Sequence, residues 1–234
     1  MRYLCLAGML LLRLIPGLYA QGLSADTLMN RWVRTQEHTW SRWQALRVML
    51  EVHRKFDSPF GVRRWQFLAE AYLQADSLNW HVRSIQITHP TPPPETLGFP
   101  GSAFYMLTDV MPLRPAWTRW PVQAPAIADT LEGLACWRVE LRPPGRGLAE
   151  RATLWFAQYD GRLLQSRLLM RARPAATPML ILTRFMRLNG LDLPQYRYIE
   201  WTHPMRRRMR RYTTLITQEI HYRSYRLEPA AGIR

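Results

Sequence analysis

The clearest hydrophobic pattern of the chain lies near its N-terminus, between Ser24 and Trp43. Large side chains recur there at spacings of three and four residues, which places them on one face of a helix. They are Leu28, Met29, Trp32, Val33, Gln36, Trp40 and Trp43. Charged residues occupy the opposite face, and Ser24 or Asp26 can cap the first turn. The pattern predicts one amphipathic helix over 24–43, and no second helix of comparable quality follows.

Most of the remaining chain alternates between apolar and polar residues with a period of two. The alternating runs cover 48–52, 65–73, 83–87, 137–141 and 164–170. This period gives each strand one apolar and one wet face, as in an antiparallel sheet. Turn segments separate the runs, and Asp160-Gly161 and Asn189-Gly190 are the strongest hairpin signals. The pattern predicts a long antiparallel meander.

Two segments interrupt the meander. The proline-rich stretch THPTPPPETLGFPG, residues 88–101, predicts a surface loop. The stretch MPLRPAWTRWPVQAPAIAD, residues 111–129, holds two tryptophans between prolines and predicts a lid or a short irregular helix over an opening. Neither segment looks like a domain boundary, so we expect one domain over 21–234.

The first twenty residues have the layout of a secretory signal peptide. Arg2 precedes an apolar stretch from Tyr3 to Leu12, and a small residue, Ala20, marks the expected cleavage site. The apolar stretch is too short for a good membrane span. We therefore expect a periplasmic protein that associates with the membrane periphery. Its one remaining cysteine, Cys136, follows a strand pattern and is interpreted as a packed thiol.

Charge modifies this picture, because the chain is strongly basic. Of its 234 residues 47% are apolar, enough for a substantial core, and the formal net charge is +15. Residues 161–234 hold 15 arginines against four acids, a net of +11. A basic half favours an acidic partner such as nucleic acid, anionic lipid or an acidic protein face. However, 31 of the 32 basic residues are arginine, which also fits a GC-rich genome that fills solvated positions with arginine.

Five arginines are concentrated between residues 206 and 211. Export makes nucleic acid an unlikely partner, so the run is better explained by its strand pattern. Read at every second residue, the segment from Trp201 to Ile216 fits a strand with one basic side, at the solvated end of a late hairpin. The alternative is a dedicated patch for an anionic membrane surface or an acidic partner protein. Its members would be Arg206, Arg207, Arg208, Arg210 and Arg211.

Three segments resemble the outer-membrane lipoprotein-sorting proteins, the LolA/LolB-like superfamily. They are DTLEGLACWRVELRPPG, ATLWFAQYDGRLLQSRLLM and NGLDLPQYRYIEW followed by TTLITQEIHYRSY. A Glu-Gly turn before a strand with a small residue, a hairpin with a tryptophan, and a Gly to Pro turn before two final strands carry the resemblance. It extends over most of residues 24–228.

The resemblance implies an α+β fold that is mostly β: an open antiparallel half-barrel curled around the N-terminal helix, with an apolar cavity between them. It implies a monomer that binds lipid acyl chains or an acylated lipoprotein, without cofactor, metal or catalysis. The many Trp, Phe and Met residues agree, since they offer adaptable apolar surface. The expected cavity residues are Trp32, Trp40, Trp65, Phe67, Trp137, Val139, Leu141, Leu168 and Met170.

No pattern of catalytic residues is apparent. The six histidines form no His-x-His or His-x-x-x-His pair, and there is no nucleophile elbow or phosphate loop. Two alternatives to a carrier stay open: an envelope-stress sensor on the same fold that acts through a protein partner, and a secreted hydrolase whose site assembles only in space.

Overall fold

The computed structural model describes residues 24–74, 77–86, 110, 115–145, 149–171, 179–207 and 210–230. For residues 77–86, 203–207 and 210 it describes the backbone alone. The predicted signal peptide and the proline-rich segment 88–101 lie outside the described residues.

The described chain forms one α-helix followed by strands. The helix α1 spans Ala25–Trp40. The strands are β1 (Trp43–Ser58), β2 (Gly61–Gln74), β3 (Ser77–Gln86), β4 (Ile127–Leu131), β5 (Leu134–Leu141), β6 (Ala149–Ala157), β7 (Leu163–Met170), β8 (Met179–Leu188), β9 (Leu191–Arg207) and β10 (Arg210–Pro229). A single turn of 3-10 helix, Ala116–Arg119, precedes β4.

All ten strands belong to one antiparallel sheet. Their order is β3-β2-β1-β10-β9-β8-β7-β6-β5-β4, so two meanders meet where β1 pairs with β10. The edge strands β3 and β4 lie at opposite sides and do not pair with each other. The sheet is therefore open, and the predicted fold, a mostly β half-barrel with an N-terminal helix, is confirmed.

The helix packs on one face of the sheet, which we call the inner face. Leu28, Met29, Trp32, Gln36 and Trp40 are buried, as the three-and-four spacing predicted. The helix ends three residues before the predicted end at Trp43. Trp43 instead begins β1 and pairs with Pro229, so the helix prediction was wrong over its last turn.

Two apolar clusters form the core between helix and sheet. The first lies on β1, β2, β8, β9 and β10 around Trp40, and includes Leu50, Phe67 and Ile220. The second lies on β5, β6 and β7 around Trp32. Leu168 of β7 packs against both clusters. The helix thus crosses the strands and ties two apolar regions together.

A small third cluster lies apart and contains Cys136, Ala157 and Leu164. Cys136 is a buried free thiol whose pKa is raised by desolvation, which confirms the packed-thiol interpretation. The predicted alternation placed Leu164 on the same face as Leu168. That assignment was wrong, because a register shift between Trp155 and Phe156 reverses the parity of β7 against β6.

The two strongest hairpin signals are confirmed. Asp160-Gly161 joins β6 to β7, and Asn189-Gly190 joins β8 to β9. Asn189 and Gly190 have φ angles of 51° and 84°, the left-handed conformation of a tight hairpin turn. A Cβ atom on Gly190 would lie 3.2 Å from Cγ2 of Thr39, so this turn lets the helix approach closely.

The arginine run lies at a hairpin, as predicted, but it does not form one strand. β9 ends at Arg207 and β10 begins at Arg210. The register pairs Arg210 with Arg207 and Arg211 with Arg206. The reading of one strand from Trp201 to Ile216 is therefore wrong. Arginines on both faces remove the apolar–polar contrast that would have revealed the turn.

Candidate functional site

A buried carboxylate anchors the helix to the sheet. Asp192, at the start of β9, accepts hydrogen bonds from Trp32 Nε1 at 2.8 Å and from the Leu163 backbone N–H at 2.9 Å. Arg187 donates to it through Nε at 2.8 Å and through a second guanidinium nitrogen at 3.1 Å. We call these four residues the Asp192 network. Both oxygens of the Asp192 carboxylate thus accept hydrogen bonds from other residues of the chain.

Gln36 extends this anchoring by one helical turn. Its side-chain oxygen accepts the Asp192 backbone N–H at 2.8 Å, and its amide nitrogen donates to the Gly190 carbonyl at 3.3 Å. A glutamine on the apolar face of the helix is therefore satisfied by the β8–β9 turn. These contacts fix the helix on this part of the inner face.

The 3-10 turn before β4 packs beside the helix. Trp117 is almost fully buried, and its ring lies 5.4 Å from that of Trp32. On its other side Trp32 meets Phe156 edge-on at 6.2 Å. The prediction of a short irregular helix in this segment is confirmed, whereas a role as a lid stays a prediction.

Beyond the helix, the inner face carries apolar side chains that are only partly buried. They are Leu168 and Met170 of β7, Met179 of β8 and Trp201 of β9, and we call them the open apolar strip. Met170 pairs with Met179 across the strands. All four pack against the first core cluster. The strip therefore continues the core towards the end of the sheet that bears the arginine hairpin.

A row of nitrogen donors crosses the neighbouring strands on the same inner face. Trp65 of β2 pairs with Arg54 of β1, and Arg54 pairs with Gln218 of β10. We call these three residues the donor row. Burial lowers the pKa of the Arg54 guanidinium to about 10, which leaves it charged at neutral pH. Phe56 lies edge-on to Trp65 at 4.4 Å and flanks the row.

Two groups of the donor row lack an acceptor. Trp65 Nε1 and Gln218 Nε2 are buried, and neither has a hydrogen-bond partner in the part of the chain that the structure describes. The Gln218 side-chain oxygen is already used, since it accepts from Arg54 Nε at 2.8 Å. Two residues closer to the helix along β9 than Ile199, the partner of Gln218, the buried Arg197 donates to Thr183 Oγ1 at 2.9 Å.

The predicted cavity residues are divided between the two core clusters. Phe67 and Trp40 lie in the first cluster, with Leu168 and Met170 partly buried against it. Trp32, Val139 and Leu141 lie in the second, with Trp137 packed against it. Trp65 is buried at the donor row. Their contact with a ligand stays a prediction.

Sequence reasoning predicted Trp65 as a cavity residue but missed Arg54 and Gln218, although a signal was present. Arg54 continues the buried series Val48, Leu50 and Val52 at the same parity. Gln218 likewise falls between Ile216 and Ile220, which are both buried. A polar residue at a position whose parity predicts burial marks a buried polar site. The Asp192 network left a weaker signal, because its members are far apart in the sequence.

The basic patch is only partly described. Arg211 is exposed, and for Arg206, Arg207 and Arg210 the backbone register alone is known. Arg208 lies outside the described residues. Next to this hairpin the β1–β2 turn exposes Phe60, whose ring lies 4.9 Å from that of Tyr212.

Other clefts lie away from the open apolar strip. One of about 450 Å³ between the β5–β6 connection and the end of β7 is lined by Arg142, Arg151, Arg171 and Glu150, among others. In the described residues no group of three or more His, Cys, Asp or Glu side chains is placed to hold a metal ion. Within the same part of the chain, no helix has the length and hydropathy needed to cross a membrane.

No family model matches the chain, and no curated protein matches its sequence. Similar solved structures include a DUF1329 family protein from Desulfovibrio piger, 10% identical with a TM-score of 0.41 over 90% of this chain and 93% of that one. An outer membrane lipoprotein-sorting protein domain from Vibrio parahaemolyticus is 8% identical, with a TM-score of 0.44 over 88% and 95%. A chain of the MucA/MucB complex of Pseudomonas aeruginosa is 10% identical, with a TM-score of 0.25 over 86% and 99%. The likeness to each of these structures concerns the fold alone.

Proposed function

We propose that this protein is a periplasmic, non-enzymatic carrier that binds the acyl chains of a lipid or lipoprotein on the inner face of its open sheet. The proposal includes the signal peptide over 1–20 and a single ligand-binding domain over 21–234. The observation that carries it is the open apolar strip. Its four large side chains adjoin the core but stay partly accessible on the inner face of the sheet.

An acyl chain fits the chemistry of this strip. Burial of apolar surface stabilises a complex by about 25 cal/mol for each Å² removed from water. Two of the four side chains are methionines, whose flexible thioethers adapt to chains of different shape. Trp201 adds a broad flat surface next to them. Leu168 and Met170 are the predicted cavity residues that we propose contact the chain directly, whereas Trp32 and Trp40 hold the helix in place.

The arginine hairpin supplies a second element of the proposal. We propose that Arg206, Arg207, Arg208, Arg210 and Arg211 attract the protein to anionic membrane surfaces or an acidic partner. Each basic residue near an anionic bilayer contributes about 1 kcal/mol, so five can support a transient contact without a permanent anchor. The hairpin lies at the end of the sheet towards which the open apolar strip extends, so docking would bring the strip near lipid.

Acyl-chain binding can be measured with delipidated protein and a fluorescent fatty acid. We expect saturable binding that long unlabelled acyl chains displace. Met170→Glu should weaken it at least tenfold, because a carboxylate in the strip costs desolvation on binding. Leu68→Glu is the matched control, since Leu68 is an exposed leucine on the other face of the sheet. Absence of saturable binding would contradict the carrier function.

Membrane docking needs a separate measurement. The five arginines are changed together to glutamine, the fold is checked by circular dichroism, and co-sedimentation with anionic and neutral vesicles is compared at low and high salt. We expect salt-sensitive binding to anionic vesicles that the variant loses, because exposed charges are screened. Equal binding by the folded variant would show that the run is only a solvated hairpin end.

A further inference from the structure

We propose that the donor row of Trp65, Arg54 and Gln218 is a binding site for the anionic head of an amphiphile, a carboxylate or a phosphate whose acyl chain lies along the open apolar strip. This inference rests on the proposed function and adds to it a polar subsite with a preference for charge. It also gives the bound molecule a direction across the sheet.

Register brings the three donors together. Arg54 is directly opposite Trp65 on one side and Gln218 on the other, so the row spans three adjacent strands. Neighbouring strands lie about 4.8 Å apart, so the outer members of the row are roughly 10 Å from each other. Side chains of directly opposite residues lie on the same face of the sheet, with Cβ atoms about 4.5–5.5 Å apart. An indole N–H, a guanidinium and an amide NH₂ therefore lie side by side on the inner face.

The orientation of Gln218 is fixed by its neighbour. Arg54 is a pure donor, so the side of the Gln218 amide that faces it must be the oxygen, as the 2.8 Å contact records. The NH₂ group is thereby turned away from Arg54. It has no acceptor among the described residues, and Gln218 is only 1% exposed. Rotating the amide would not help, because it would place two donors against each other.

Trp65, two strands away on β2, also carries a buried donor without an acceptor. Its side chain is 5% exposed, and its Nε1 has no acceptor in the described part of the chain. Burial of a donor without an acceptor is unfavourable, so a native structure usually supplies the missing partner. Among the described residues, three further buried donor atoms lack partners, on Trp43, Arg138 and Arg162. Those three lie on different elements, whereas Trp65 and Gln218 flank the same guanidinium.

The missing partner must offer oxygen acceptors and tolerate a positive charge. A carboxylate or phosphate meets both conditions, since each presents several lone pairs and forms strong charge-assisted bonds with guanidinium groups. Arg197 adds a fully buried cation on the inner face, two residues closer to the helix along β9 than Ile199, the partner of Gln218. A neutral acceptor would satisfy the N–H groups but would gain nothing from these charges.

The position of the row explains how such a head would be joined to an acyl chain. The row continues across the sheet from Gln218 to Ile199, then to Ile181 and Leu168. Polar donors therefore give way to apolar side chains at the boundary between β10 and β9. From β10 to β7 are three strand spacings, roughly 14 Å. An amphiphile lying across the strands would match this division.

The test compares amphiphiles that differ only at the head. Delipidated protein is titrated with oleate, oleoyl lysophosphatidic acid, methyl oleate and oleyl alcohol, each in competition with a fluorescent probe. Sodium acetate and inorganic phosphate alone form two further arms, which separate a lipid head from a free anion. We expect the anionic amphiphiles to bind at least tenfold more tightly than the neutral ones, and the free anions to displace nothing at millimolar concentration.

Variants then assign the preference to the row. Arg54→Met keeps side-chain length but removes the charge, and should bring the affinities for oleate and methyl oleate within about threefold of each other. Trp65→Phe removes one N–H with little change of shape, and should reduce the oleate preference by about threefold to tenfold. Arg64→Met is the matched control, because the exposed Arg64 precedes Trp65 and lies on the opposite face. It should leave the preference unchanged.

The outcomes separate the two proposals. Equal binding of oleate and methyl oleate by the parent protein would overturn the donor row as an anion site and leave the acyl-chain carrier intact. Absence of binding by all four amphiphiles would overturn both. A charge preference that survives in Arg54→Met and Trp65→Phe would place the anion elsewhere and contradict the inference. If Arg54→Met does not fold, the ratio measured for Trp65→Phe decides alone.

Discussion

The inner face contains two buried polar groups of opposite character, the Asp192 network and the donor row. In the first, one carboxylate receives hydrogen bonds from a helix tryptophan, a backbone N–H and a guanidinium. In the second, two N–H groups beside a buried guanidinium have no acceptor among the described residues. The carboxylate of Asp192 and the side chains of Trp65 and Gln218 are all buried, so solvation does not explain the difference.

The comparison shows how one face can serve both stability and binding. A buried polar group that the chain satisfies itself fixes the structure, because its removal leaves several partners without bonds. A buried polar group that the chain leaves unsatisfied is stabilised when a ligand supplies the bond. We infer that α1 is held by the first site and that the second is reserved for a ligand.

The largest expected effect is at the centre of the Asp192 network. Asp192→Ala removes a fully buried carboxylate and leaves the Trp32 and Arg187 donors without an acceptor. We therefore expect a loss of about 3–5 kcal/mol in the free energy of unfolding. Chemical denaturation followed by circular dichroism measures it. Asp160→Ala is the control, since Asp160 is a partly exposed partner of the same Arg187 and should cost less than about 1 kcal/mol. Similar losses for the two variants would contradict a special role for Asp192.

A smaller loss is expected when only one donor of the network is removed. Trp32→Phe keeps most of the ring packing against Trp117 and Phe156 but removes the N–H that reaches Asp192. We expect a loss of about 1–3 kcal/mol in the free energy of unfolding. A double-mutant cycle with Asp192→Ala should show strong coupling between the two residues. Additive losses would mean that Trp32 does not stabilise the protein through Asp192.

Glu51, on the outer face of the sheet, is a carboxylate whose hydrogen bonds contribute to stability in a way that depends on pH. Hydrogen bonds from Arg223 and His53 lower the pKa of Glu51 from 4.5 to about 2. Because the folded pKa lies below the unfolded one, this stabilisation is complete above pH 4.5 and is lost as the pH falls from 4.5 towards 2. Glu51→Gln should flatten that part of the profile of unfolding free energy against pH. An unchanged acid limb would contradict the assignment.

The smallest effect on stability is expected at the donor row. Arg54→Met removes the cost of keeping a charge in a largely buried position, but it also leaves the Gln218 side-chain oxygen without its donor, so the two effects oppose each other. We expect the free energy of unfolding without ligand to change by less than about 1 kcal/mol, while anion preference is lost. A destabilisation as large as that of Asp192→Ala would mean that Arg54 is a structural residue, and the contrast between the two sites would disappear.

Much of the fold could be predicted from the sequence because it is encoded locally. Strict alternation from Trp65 to Leu73 and the three-and-four spacing from Leu28 to Trp40 correspond to observed buried faces. Errors arose where tertiary pairing overrides local pattern. Trp43 fits the helical spacing but pairs with Pro229 in the sheet, and the register shift beside Phe156 moves Leu164 to a different cluster.

The candidate site was less accessible to sequence reasoning. Predicted residues such as Leu168 and Met170 were identified because apolar alternation marks an inner face. The donor row depends on pairing between β1 and β10, whose partners Arg54 and Gln218 are 164 residues apart. A single sequence gives no register for strands so distant, so three unrelated polar residues could not be recognised as one site.

The most direct test of acyl-chain binding on the inner face is photo-crosslinking with a fatty acid that carries a diazirine near its methyl end, followed by peptide mass spectrometry. The account predicts adducts on the strip residues Leu168, Met170, Met179 and Trp201, and their loss when unlabelled oleate competes. Exposed apolar residues away from the inner face, such as Leu134 and Tyr159, serve as internal controls. Adducts concentrated on those controls, or spread evenly over the surface and insensitive to competition, would contradict the account.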